Sequence, residues 1–279
     1  MKTRIDIRSS DNTDDTIAEK IQRWAEDIIE RLAGKATPDR LKINVYHELD
    51  ELQGFFRKEK EALGIVSEGE TEFIATHEAW RGYPRIHICS ERIRNIPETV
   101  VRGAVHHELA HAILHGRTEF YAFRFSRQLI AAGEAVGLDI QLLQHCVYLL
   151  SIALKDGEVV SLLAEIGFQS GQIALLAHML ADTCSEREVW NAIRHLPPQR
   201  KVAVASFLKN LLPVEILAAM KIDAGRRLRQ EWENVYNWLS ATERFDMIRF
   251  AAESGRNTTG LFHDWLEQTA VKLITHPRL

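Results

Sequence analysis

His107-Glu108-Leu109-Ala110-His111 reads H-E-x-x-H, and it sits inside a longer apolar run, Asn95-Ile-Pro-Glu-Thr-Val-Val-Arg-Gly-Ala-Val-His-His-Glu-Leu-Ala-His-Ala-Ile-Leu-His-Gly116. On an α-helix, residues four apart lie one above the other on the same face. Two imidazoles placed this way can grip one Zn²⁺ from one side. The carboxylate of Glu108, next to the first ring, then lies close enough to take a proton from a water activated by the ion. The reading needs three things: a helix, an apolar setting and a third ligand.

The first two are legible in the flanks. Asn95 suits an N-cap, Pro97 the first turn, and Glu98 complements the helix dipole. Gly116 is a C-terminal stop. Val101, Val105, Leu109 and Ala112 recur at helical spacing, which predicts a helix buried along one side. Inward-facing His107 and His111 on such a helix need compensation for their polar atoms. A metal supplies it, and so would a set of hydrogen-bonded core histidines. Gly103, one turn before His107, marks either close packing or room for a backbone or substrate to approach.

The third ligand must come from elsewhere. His115 continues the i+4 series but lies about 6 Å beyond His111 by helix pitch, too far to close a tetrahedral site easily. The metzincin pattern fails, because Leu114 and Arg117 stand where it requires Gly and His. His106 projects about 100° away from His107. Glu119 is the better candidate. Gly116 ends the helix, Thr118 can cap a second one running toward Gly133, and a carboxylate just past the turn can swing back to the imidazole pair. His145, Asp156 and Glu158 are its rivals. Tyr121 and Tyr83 could each donate to a developing oxyanion, or simply pack.

The run HELAHAILHGRTEFYAFRFSRQLI, His107 to Ile130, resembles the ImmA/IrrE family of zinc-dependent peptidases. That family shows H-E-x-G-H, then apolar residues and a His, then a loop and E-x-x-A-x-x-F-A leading into a Leu pair. Glu119, Ala122, Phe125 and Ser126 stand at those offsets, followed by Leu129 and Ile130. Ala110 replaces the usual Gly, Ser126 the usual Ala, the loop is short, and nothing past about residue 135 is similar. The resemblance implies zinc held by His107, His111 and Glu119, with Glu108 as general base.

Composition bounds the rest. The 279 residues are 46% hydrophobic and 27% charged, ordinary for a globular chain. A formal net charge of −4 gives no basic footprint, so no nucleic-acid partner is expected. The polar-alternating start after Met1 predicts no secretion signal. No uninterrupted apolar stretch is long enough to predict a membrane span. Cys89, Cys146 and Cys184 are far apart and form no C-x-x-C motif, which reads as free thiols in a reducing cytoplasm. Asn257-Thr258-Thr259 matches a glycosylation sequon that has no meaning without secretion.

Periodicity organises the chain. Thr3–Arg8, Leu41–Tyr46, Thr71–Ala75 and Arg85–Cys89 read as strands, and Thr16–Leu32 as a helix. Asp50–Leu63 is a charged helix or a loop. The Gly64–Gly69 and Trp80–Pro84 stretches read as turns. Arg85–Cys89 is the expected edge strand for peptide addition. From about Leu138 onward the pattern is helical, with breaks expected between Leu154 and Val159, at Pro197-Pro198 and at Pro213. Arg226, Arg227 and Arg229 make a small basic cluster on one of these helices. The expected fold class is α+β: a small zincin-like sheet packed on an active-site helix, followed by a largely α-helical C-terminal region. The expected domains are 1–135, zincin-like, and 136–279, helical. The expected function is a cytoplasmic zinc-dependent peptidase acting on a peptide or protein substrate. The alternative is a catalytically silent zincin scaffold whose helical region recognises a partner.

Overall fold

The computed structural model of the chain describes residues 3–10, 15–32, 38–65, 73–181, 184–256 and 260–279. The Asn257–Thr259 sequon and most of the expected 64–69 turn lie outside these, as do Thr71 and Glu72 of an expected strand. In chain order the elements are β1 (Arg4–Ser9), α1 (Asp15–Arg31), β2 (Arg40–Tyr46), α2 (Leu49–Leu63), β3 (Ala75–Glu78), β4 (Arg85–Cys89), α3 (Ser90–Ile93), α4 (Glu98–Leu114), a 3₁₀ turn (Thr118–Tyr121), α5 (Arg127–Ala135), α6 (Ile140–Glu165), α7 (Gln169–Leu180), α8 (Cys184–Ile193), α9 (Pro197–Ala219), α10 (Asp223–Val235), α11 (Ala241–Ser254) and α12 (Phe262–Thr275). The fold class is α+β, a small mixed sheet with helices packed around it and a helical C-terminal region. By packing, one compact unit comprises Met1–Tyr121 with Glu165–Leu175, and a second comprises Ala122–Ala164 with Leu176–Leu279.

In the first unit the sheet order is β1-β2-β4-β3. β1, β2 and β4 run parallel, and β3 pairs antiparallel with β4. Register puts Leu41, Ile43 and Val45 of β2 on the same face as Ile86 and Ile88 of β4, and all five are buried. Each such side chain contributes about 1.5–3 kcal/mol when removed from water. α1 and α4 cover that face. His77 pairs with Ile86 in register and therefore points the same way, toward α4. The opposite face carries Asn44, Arg85, His87 and Glu78, and α2 lies over it. α2 forms as a helix because Glu48 and Glu51 make a reciprocal capping box, and Gly64 ends it in the left-handed region at φ 64°.

The expected edge strand is corrected. β4 lies inside the sheet between β2 and β3, so β3 is the terminal strand on that side. β4 is buried at every position, as an interior strand with both faces covered must be. The entry to α4 also differs from the sequence reading. Pro97, not Asn95, occupies the N-cap, with Glu98 in the first turn. The second helix after Gly116 does not start at Glu119. Thr118–Tyr121 is a single 3₁₀ turn, and α5 begins only at Arg127, where the Ser126 hydroxyl accepts the Leu129 amide at 3.1 Å. A serine with extended backbone and its oxygen on the N3 amide is a stronger start signal than a threonine inside a turn.

The second unit is helical. α9 is its longest buried element after α6, and α8, α10 and α11 pack against it. Trp190, Trp232 and Tyr236 are fully buried, with Trp232 and Tyr236 stacked at 4.5 Å. Two expected breaks are absent. Gly157 lies inside α6, where Leu212 and Ile216 fill the space that a side chain would take. Pro213 lies inside α9, buried among apolar neighbours. α9 is long and apolar enough to cross a membrane by length and composition, with a mean hydropathy of 1.6 and 67% of that window buried inside the protein. The core helix of a helical domain has the same composition. Cys89 and Cys146 are buried free thiols, and burial pushes the Cys146 thiol up to about 12.

Candidate metal centre

α4 is buried on nearly every side, His106 included, not along one side as its apolar spacing predicts. His107, His111 and His115 are all nearly inaccessible. The Nε2 atoms of His107 and His111 face each other at 3.0 Å. Two imidazole nitrogens approach this closely only with something positive between them, a shared proton or a metal ion. Two nitrogens bound to one tetrahedral zinc lie about 3.3 Å apart, so the observed separation is a few tenths of an ångström short of that span. The outer nitrogens are engaged. His107 Nδ1 meets Gln172 Oε1 at 2.9 Å, and His111 Nδ1 meets His115 Nδ1 at 3.1 Å. A ligand imidazole bonded through its second nitrogen is the usual arrangement at a metal site. The donor set and its direction therefore fit a divalent ion.

Glu108 is held from the sheet. His77, on β3, places Nδ1 2.6 Å from Glu108 Oε2, and its Nε2 lies 2.6 Å from the Tyr121 hydroxyl. An ionised carboxylate only accepts, so Nδ1 carries the proton in that contact. The His77 ring stacks on His111 with centroids 4.5 Å apart and planes 10° off parallel. The ligand atoms of His77, Glu108 and His111 all lie within 4.8 Å of one another. Burial, reinforced by the charges of Glu108 and Glu78, pushes the Tyr121 phenol far above its usual range, so the hydroxyl keeps its proton.

The strand bearing His77 is fixed by its next residue, which points to the other face. Glu78 bonds Arg85, meets His87 Nε2 at 3.2 Å and accepts the Trp80 amide at 2.8 Å. His87 Nδ1 lies 3.0 Å from the Tyr46 hydroxyl, and Arg85 also bonds Glu59 at 2.6 Å. Burial alone would raise the Glu78 carboxyl. The bonds from His87, Arg85 and the Trp80 amide outweigh it and hold the group below its ordinary value. Burial keeps His87 neutral at neutral pH. β3 is only four residues long, and this buried network fixes it where its ladder alone would be marginal.

The other candidates fall as follows. Glu119 sits in the 3₁₀ turn, more than half exposed, with Arg117 2.8 Å away. Among the described residues it does not share a ligand cluster with the imidazole pair. Its neighbour Phe120 packs edge-on against His115 at 5.0 Å. His106 turns away from the pair and packs on Phe168 at 4.4 Å. His145, exposed, and Asp156 and Glu158, partly buried, lie on α6 in the helical unit. Tyr83 lies against the guanidinium groups of Arg40 and Arg85, as a packed aromatic. Tyr121, by contrast, reaches the site, but as a partner of His77.

His77 and Gln172 were not singled out by the sequence. Ala-Thr-His-Glu has no apolar alternation to flag it as a strand facing the motif. Gln172 is 65 positions from His107. The one local hint is the Gly171 that precedes it.

No protein-family model, no curated protein and no solved structure matches the chain.

Proposed function

We propose that the chain is a zinc-dependent peptidase, with His107 and His111 as metal ligands and Glu108 as general base. The observation that carries the reading is the convergence of two buried Nε2 atoms at 3.0 Å, one turn apart on α4, beside a carboxylate clamped from the sheet. A divalent ion held there would supply Lewis acidity, acidifying water and polarising a carbonyl. His77 occupies Oε2 of Glu108 and so leaves Oε1 to take a proton, which Glu108 then releases to the leaving amine. Tyr121, bonded at His77 Nε2, keeps that ring turned toward Glu108.

Glu119 is the proposed third ligand. Its exposed ion pair with Arg117 is worth about 0–1 kcal/mol, less than a carboxylate gains on a metal, so the pair does not oppose the move. A peptide substrate is supported by β3. As the terminal strand beside α4 it can accept an extended chain by strand addition, with the scissile bond carried past His77 and Glu108.

The test is Glu108→Gln. Protein purified without chelator should retain its ion in this variant, while cleavage of a broad peptide library falls by about 10²–10⁴-fold. Equal cleavage by the variant and the parent, or none by either with the ion bound, would remove the peptidase claim and leave a metal-bearing scaffold.

A further inference from the structure

We propose that Gln172 is a positioning residue of the metal centre, whose side-chain amide selects the tautomer of His107 that presents its Nε2 lone pair to the ion. The inference rests on the reading that His107 and His111 hold that ion.

Gln172 is completely buried. Its Nε2 donates to the Gly103 carbonyl at 2.9 Å, and its Oε1 faces His107 Nδ1 at 2.9 Å. The direction of the amide is fixed by Gly103. A backbone carbonyl only accepts, so only the NH₂ end can face it, and a flipped amide would set oxygen against oxygen. The oxygen end is thereby turned to His107. An acceptor at Nδ1 requires the proton there, and a neutral ring with its proton on Nδ1 has its lone pair on Nε2. That lone pair points into the gap shared with His111.

The backbone makes this reach possible. α4 and the start of α7 cross at two glycines. A Cβ on Gly103 would stand 2.2 Å from the Gly171 carbonyl oxygen, and one on Gly171 would stand 3.1 Å from the Gly103 Cα. With no side chain at either position, the residue after Gly171 comes down over the turn between Gly103 and His107. A leucine or methionine at 172 could fill the volume. What the amide adds is a direction, one acceptor aimed at one ring nitrogen.

Two measurements test this. The first uses the unaltered protein freed of metal: long-range ¹H–¹⁵N spectra of the histidine rings report which nitrogen of His107 is protonated. The expected result is Nδ1, and an Nε2-protonated His107 would overturn the proposal without any variant. The second is zinc affinity by competition with a chromophoric chelator. Gln172→Met keeps the size and loses the acceptor. It should bind zinc about 10–100-fold more weakly, and in its metal-free form the same spectra should show that His107 no longer holds its proton at Nδ1 alone. A purely structural glutamine would weaken binding and leave the proton at Nδ1, and an idle one would change neither. Either result overturns the proposal. If the unaltered protein itself takes up no zinc, the metal reading fails and the inference fails with it, a result distinct from parental binding with an indifferent Gln172.

Discussion

Replacing Gly103 by alanine places a methyl carbon 2.2 Å from the carbonyl oxygen of Gly171. Ordinary contact begins near 3.4 Å, so the start of α7 must retreat by about 1.2 Å, and the obstacle is backbone that cannot rotate away. The 2.9 Å contact between Gln172 and His107 would then open to about 4 Å, past the limit of a hydrogen bond. Overpacking of this kind costs about 1–3 kcal/mol, and stranding a buried amide and its partners costs about 1–3 kcal/mol more. The gain in helix propensity from glycine to alanine, about 1 kcal/mol, offsets part of it. The net expectation for Gly103→Ala is a loss of about 1–5 kcal/mol. Gly171→Ala is the control. Its methyl would meet the Gly103 Cα at 3.1 Å, which asks for only a few tenths of an ångström, and the same propensity gain leaves it within about 1 kcal/mol of the parent. Urea unfolding followed by circular dichroism measures both. Gly103→Ala as stable as the parent, or Gly171→Ala the more damaging of the two, would refute the crossing geometry and the reach of Gln172 with it.

Two further outcomes follow from the sheet side of the centre. His77→Ala removes the donor to Glu108 and the partner of Tyr121, so peptide hydrolysis should fall by about 10–100-fold while zinc content, read by atomic absorption, stays at the parental value. Loss of the ion in this variant would instead make His77 a ligand. The Arg81 bond, working against burial and joined by Arg85, holds the Glu59 carboxyl down to about 2. A depressed acid stabilises the fold fully above its unfolded value near 4.5 and loses that contribution as pH falls toward 2. Unfolding free energies measured across that interval should therefore drop more steeply for the parent than for Glu59→Gln, and parallel curves would show that the pair does not stabilise the folded state.

What could be read from the sequence followed the physics that local pattern reports. The i, i+4 apolar series around His107 predicts a helix buried along one side, and α4 is a helix but buried on nearly every side, because the sheet and α1 cover part of it and the start of α7 crosses it at Gly103. Leu41–Tyr46 and Arg85–Cys89 announced strands by β-rich composition. The same signals misplaced boundaries wherever tertiary packing decides. The stretch between Leu154 and Val159 and Pro213 read as breaks, yet both continue a helix, since the long neighbouring side chains Leu212 and Ile216 close over Gly157 and the buried surroundings of Pro213 retain it. The sequence pattern assigns the edge position to Arg85–Cys89, yet that strand is buried on both faces and the terminal strand is the short, polar β3. Of the centre, the residues of the motif itself were legible. The two that hold its side chains in place were not: His77 and Gln172 reach it through strand register and a glycine crossing, neither of which leaves a periodic trace.

X-ray absorption at the zinc edge, on protein expressed with zinc and purified without chelator, tests directly the proposal that His107 and His111 share a divalent ion. One zinc per chain is expected, with two imidazole nitrogens at about 2.0–2.1 Å and a carboxylate oxygen from Glu119 in the same shell. Zinc should be lost in the His107→Ala and His111→Ala variants. A folded protein that carries no zinc, or zinc that persists when both imidazoles are gone, would contradict it.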